Sequence, residues 1–184
     1  MFAQAQATRH LKFMGIPLTG SITQFQAKLA QKGCTYDKPT SRFIAAGCRA
    51  FKGNFIGNKA NIYVYYDTKT KTVYRAKAVL SGLSEDIAEQ KYGTIKDLLL
   101  KKYVGSYYDE SEKDGNKSCS ILPQREEYAF EEDGGSWQTA YGEIDIYVTK
   151  DDLAVNFPFY FNLHIDYTDQ INSDKREDNI MEDL

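Results

Sequence analysis

The stretch from Val155 to Tyr167 reads Val-Asn-Phe-Pro-Phe-Tyr-Phe-Asn-Leu-His-Ile-Asp-Tyr. Val155, Phe157, Phe159, Phe161, Leu163, Ile165 and Tyr167 share one parity without a break. Asn156, Pro158, Tyr160, Asn162, His164 and Asp166 share the other. A two-residue period sends each set to its own face of a strand, so one face is buried and the other wet. Such alternation belongs to an antiparallel sheet with one solvated face, because parallel strands are buried on both. Pro158 donates no ladder hydrogen bond, which puts the strand at an edge or bulges it there. The chain is therefore expected to carry an antiparallel sheet with a strand over 153–167.

Working outward, strands are expected at about 125–132, 136–141 and 143–149, and earlier at 48–56, 60–66 and 72–80. In the 60–66 run Ile62, Val64 and Tyr66 share one parity, with Tyr63 and Tyr65 on the other. The polar Asp67-Thr68-Lys69-Thr70 fits a hairpin loop. Two helices interrupt the strands. In the first, Ser21 or Thr19 is the N-cap, Ile22, Phe25 and Leu29 form an apolar stripe, and Gly33 stands where a C′ glycine belongs. In the second, Ser84 precedes Glu85 and Asp86, Lys101 and Lys102 lie in the last turn, and Gly105 ends it; that charge order suits the macrodipole. Residues 34–47 and 109–120 read as loops. Residues 168–184, rich in acids, read as a mobile tail.

Helix followed by hairpin-rich strands occurs twice, and Asn61-Ile62-Tyr63-Val64-Tyr65-Tyr66-Asp67 resembles Glu143-Ile144-Asp145-Ile146-Tyr147-Val148-Thr149. A unit of about 80 residues suits two fused copies of one α+β element. Edge-to-edge pairing of the copies would close an open sheet edge. The expected fold is α+β: two tandem helix-plus-antiparallel-sheet repeats forming one continuous antiparallel sheet, with the helices packed on one face. The divisions are 1–9, a disordered start or signal-peptide remnant; 10–83, a basic first repeat; 84–167, an acidic second repeat; and 168–184, the tail.

Phe13-Met14-Gly15-Ile16-Pro17-Leu18, the Ser21–Gly33 helix and the Ala60–Leu80 hairpin resemble a group of uncharacterised exported proteins of Gram-negative gut bacteria, of the Bacteroides type. That resemblance covers about residues 10 to 105. The tandem layout resembles the fold of the β-lactamase inhibitor protein. The second resemblance implies a concave outer sheet face able to grip a partner. It transfers no inhibitory loop motif, and fold alone does not carry function.

The 184 residues carry a formal net charge of −3, and 42% are hydrophobic. These figures exclude a collagen, a coiled coil and a wholly disordered chain. No apolar run reaches the roughly 18 residues of a membrane span. The total conceals a split. Residues 1–83 hold 13 Lys and Arg against Asp37 and Asp67, a net of +11; residues 84–184 hold 10 against 24 acids, a net of −14. Such a molecule is dipolar, and is expected as a monomer or in weak head-to-tail association at low salt. Cys34, Cys48 and Cys119 are an odd number, compatible with one disulfide in any of three pairings or with three reduced thiols. Ala3-Gln4-Ala5 has the small-x-small form of a signal-peptidase site, without the charged and apolar regions that precede one. It is read as part of a frayed start or of a signal-peptide remnant, and the second reading makes the protein periplasmic or extracellular.

His10 and His164 belong to no HExxH pair, and there is no GxSxG elbow, Walker loop or GxGxxG. His164 reads as a surface histidine. Glu110-Ser111-Glu112-Lys113-Asp114-Gly115 begins like a Ca²⁺ loop, but position 12 would be Ile121 instead of a bidentate Glu, so a solvated loop is the expectation. No catalytic residue, metal ligand or cofactor is assigned.

The aromatic residues are more informative. Tyr63 and Tyr65 lie off the core parity, with Arg75 and Lys77 on the neighbouring strand and Tyr147 in the second copy. That patch fits contact with a protein, an anionic glycan or a nucleic acid, or else cross-strand pairing on a wet sheet. Trp137, in a Gly-rich turn, is a core plug or a sugar-stacking platform. The expected function is a non-enzymatic exported binding module that holds a protein or peptide partner on its outer sheet face. The alternative is a small-ligand or glycan binder, and less favoured is a hydrolase. The acidic half argues against nucleic acid.

Overall fold

The computed structural model describes residues 9–103, 107–113, 116–123, 126–129, 136–139, 141–151 and 160–182. The chain enters through β1 (Lys12–Phe13), β2 (Ile16–Pro17) and α1 (Ile22–Gln31), then β3 (Thr35–Tyr36) and α2 (Lys38–Phe43). A meander follows of β4 (Cys48–Phe55), β5 (Asn58–Tyr66) and β6 (Val73–Leu83), and then α3 (Glu85–Lys102). The second half holds β7 (Tyr107–Lys113), β8 (Asn116–Leu122), β9 (Glu126–Ala129), β10 (Ser136–Thr139), β11 (Gly142–Lys150), β12 (Phe161–Asp169) and α4 (Gln170–Met181).

The fold is α+β. Eight strands form one antiparallel sheet in the order β3-β4-β5-β6-β12-β11-β8-β7. β1 with β2, and β9 with β10, form separate two-stranded sheets. Each half of the large sheet runs from an edge inward, and the halves meet at the β6–β12 pairing, where Ala78 faces Ile165 and Lys77 faces Asp166.

Local chemistry explains the first helix. The Ser21 hydroxyl accepts from the Gln24 amide at 3.3 Å and the Gln24 side chain accepts from the Ser21 amide at 3.0 Å, a reciprocal capping box. Gly33, at φ +82°, takes the left-handed position after the helix. Phe25 and Leu29 of α1 and Ala88, Tyr92, Ile95 and Leu99 of α3 join Ile62, Val64, Ala76, Ala78, Ile144, Ile146, Leu163 and Ile165 in a single core cluster. Both helices therefore lie on the same sheet face. The Asp67–Thr70 turn forms as read: the Asp67 carboxylate accepts from the amides of Lys69 and Thr70.

Three expectations are corrected. Residues 109–113 and 116–120 do not form a loop; they lie in the paired strands of the β7–β8 hairpin. Its charges hid it, because they are used in pairing: Glu110 with Lys96 at 2.6 Å and Lys117 with Glu89 at 2.8 Å, both partners on α3. Residues 34–47 contain β3 and α2, the latter capped by Asp37 accepting from the Thr40 amide. Residues 170–181 form a docked helix instead of a mobile tail. Its anchors are polar, so no apolar period announces it. Asn172 donates to the carbonyls of Leu18 and Val73, at 2.8 and 3.1 Å. Fully buried Asp169 caps α4 at Asn172 and also accepts from the Leu11 amide at 2.7 Å, with His10 Nδ1 at 3.0 Å.

In the 153–167 strand, residues 161–167 lie in β12, and Pro158 falls outside the described residues. The strand's position is central, between β6 and β11.

Candidate functional site

The sheet face away from the helices is built from the residues opposite in parity to the core. Register brings them into rungs across the strands. One rung runs Ala50, Tyr63, Lys77, Asp166, Asp145, Ser120, Asp109. A second runs Cys48, Tyr65, Arg75, Thr168, Glu143. A third runs Lys52, Asn61, Val79, His164, Tyr147, Ser118. Tyr63, Tyr65, Arg75, Lys77 and Tyr147 thus share one face of the central strands and are all half-buried. Trp137 does not join them in the large sheet; it lies in β10, opposite Tyr128 of β9.

The face is held by specific contacts. Arg75 grips Asp166 in a fork: Nε donates to Oδ1 at 2.8 Å and Nη2 to Oδ2. The guanidinium also lies over the Tyr65 ring, 4.7 Å from its centroid. Donating this fork to the Asp166 carboxylate raises the Arg75 pKa. Lys77 Nζ rests 5.9 Å from the Tyr63 centroid. Tyr147 stacks flat on His164, centroids 4.5 Å apart and planes 6° off parallel. His164 Nε2 meets Thr149 Oγ1 at 2.8 Å.

These surroundings move titrations. Burial, and secondarily Lys77, drives the His164 pKa down to about 4. Burial, and secondarily the Glu143 charge, drives Asp145 up to about 6. Burial drives Tyr65 up to about 12 and the Cys48 thiol below it to about 11. The face therefore changes its charge in the mildly acidic range through Asp145. His164 Nδ1 and Asn162 Oδ1 are buried without a hydrogen-bond partner. His164, read as a surface histidine, is instead half-buried under Tyr147, and Asp166, read as wet, is 3% exposed because Arg75 covers it.

Sequence reasoning missed Asp145 and Asp166 as members of the site. A signal existed: both alternate with core residues in their strands, and Arg75 needed an acidic neighbour. What parity could not supply is which strand lies beside β6.

On the helix side, α3 and the β7–β8 hairpin border a shallow cleft of about 550 Å³ lined by Tyr92, Lys96, Glu110 and Lys117 among others. The Lys96–Glu110 and Lys117–Glu89 pairs span it. Cys34, Cys48 and Cys119 are buried and unbridged. Among the described residues, no group of three or more His, Cys, Asp or Glu is placed to hold a metal ion, and no helix is long and apolar enough to cross a membrane. Comparisons with protein-family models, curated proteins and solved structures each return no match.

Proposed function

We propose that this protein is a non-enzymatic binding module that holds a protein or peptide partner on the outer sheet face. The observation that carries the reading is the arrangement of Tyr63, Tyr65, Arg75, Lys77 and Tyr147 on adjacent rungs of β5, β6 and β11, already packed on neighbours. Tyr and Arg dominate interface hot spots. Side chains held before contact lose less entropy on binding, which favours affinity. The export expected from Ala3-Gln4-Ala5 belongs to the same proposal. So does fusion of two copies of one unit, supported by the equivalent places of β5 and β11, each beside a central strand.

The test is selection of displayed peptides on the wild-type protein. Tyr63→Ala and Tyr147→Ala are expected to weaken the selected peptides at least tenfold, and Lys28→Ala on the exposed side of α1 to leave them unchanged. Peptides that bind the tyrosine variants as well as wild type would sink the reading. One observation favours a small-ligand or glycan binder as second reading: the flat Tyr147–His164 stack lies beside two polar atoms without partners. Quenching of Trp137 or tyrosine fluorescence by a glycan panel distinguishes it.

A further inference from the structure

Resting on the outer face as a binding surface, we propose that its occupant is a second copy of this chain, related by a two-fold axis in the interface plane and parallel to the central strands. Charge order is the first support. Lys77 points outward from β6 beside Arg75, which is held by Asp166, and Lys52 points outward from β4 beside Asp37 at 3.0 Å, whereas Asp145, Glu143 and Asp109 point outward from β11 and β7. Among the described side chains, no acid faces outward from β4, β5 or β6, and no Lys or Arg from β7, β8, β11 or β12.

A half-turn about such an axis exchanges the two halves. The basic strands of each copy then lie over the acidic strands of the other, twice in every dimer. An unrelated partner must present this reversed order by its own sequence; a second copy presents it by symmetry.

Topology is the second support. Four strands lie on each side of the β6–β12 junction, so an axis there superposes strand on strand across the whole face. Size is the third. Without the two-residue β3, seven strands about 4.8 Å apart and 7 to 11 residues long make a plate of about 950 Å². One side of a standard interface is about 800 Å². Tyr63, Tyr65 and Tyr147 sit in the middle of that plate, where aromatic anchors belong.

The experiment is sedimentation equilibrium at pH 8, where Asp145 is charged, in 20 and 500 mM salt. Three proteins are compared: wild type, Lys52→Glu/Lys77→Glu, and Asp109→Lys/Asp145→Lys, each checked by circular dichroism. Wild type is expected at twice the 21.0 kDa chain mass in low salt, with affinity falling at least tenfold in high salt. Each charge-reversed protein is expected to be monomeric. Their equimolar mixture is expected to dimerise, because the new acids of one copy then meet the new bases of the other, and its native acids meet the other's native bases.

A wild type that stays monomeric in low salt overturns the proposal, as does a dimer that survives in either variant alone. Selected peptides that bind a monomeric wild type through Tyr63 and Tyr147 would overturn the second copy as occupant and leave the binding face standing.

Discussion

Replacing Arg75 by methionine keeps the aliphatic stem over Tyr65 and removes the fork on Asp166. The cost follows from the burial of the two partners: Asp166 retains 3% of its side-chain surface and Arg75 36%. Breaking a fully buried ion pair costs about 3–5 kcal/mol, since the remaining charge has no partner. Arg75 reaches solvent, so water enters part of the vacated site and the expected cost is about 2–3 kcal/mol. For a chain of this length each kcal/mol shifts Tm by about 2–4 °C, which gives a fall of about 5–10 °C. Arg75→Met/Asp166→Val removes both charges and is expected to recover to within about 1 kcal/mol of wild type. Urea unfolding at pH 7, followed by circular dichroism for wild type, both singles and the double, gives the coupling energy directly. A single Arg75→Met variant costing less than about 0.5 kcal/mol, or costs that add within about 0.5 kcal/mol, would refute the reasoning.

Over pH 4–6.5 two groups on the same face oppose each other. The lowered His164 pKa gives stability present above pH 6.5 and lost as pH falls towards 4; the raised Asp145 pKa gives stability present below 3.8 and lost as pH rises through 6. The stability of His164→Gln relative to wild type should therefore fall by about 2 kcal/mol from pH 4 to 6.5, and that of Asp145→Asn should rise by about 2 kcal/mol; differences of equal sign in paired melts would contradict this. Gly142→Ala would place a Cβ 2.1 Å from the Thr168 carbonyl oxygen, so a loss of more than about 3 kcal/mol is expected in urea unfolding. Asp169→Ala removes the α4 cap and the anchor of Leu11 together, and hydrogen exchange is expected to rise in both α4 and residues 10–18 and not in α4 alone.

Much of this architecture was legible where two periods differ. Strand parity in β5, β6 and β12 placed Ile62, Val64, Leu163 and Ile165 inside and Tyr63, Tyr65 and Lys77 outside. The helix stripe of Phe25 and Leu29 was equally plain. The elements that escaped reading are those whose fixation is polar. The β7–β8 hairpin is laced to α3 through Glu110 and Lys117, and α4 is seated through Asp169 and Asn172. Composition treats such residues as solvated, because the partner that makes them structural lies many residues away. For the same reason the pairing of Arg75 with Asp166 could not be read from β6 or β12 alone.

The β6–β12 junction also sets an order of assembly. β6 is made before α3, and β12 follows every other described strand, yet the two are neighbours at the centre of the sheet. During synthesis the β4–β6 meander must wait, with the inner edge of β6 unpaired, until β12 has emerged. An unpaired strand edge beside Ala76, Ala78 and Leu80 is a template for the wrong strand. The long delay between these partners makes folding depend on distant contacts and so slows it. The acidic second half then acts as a latecomer with an address: Asp166 seeks Arg75 across the last gap, and its arrival closes the edge that the first half leaves open.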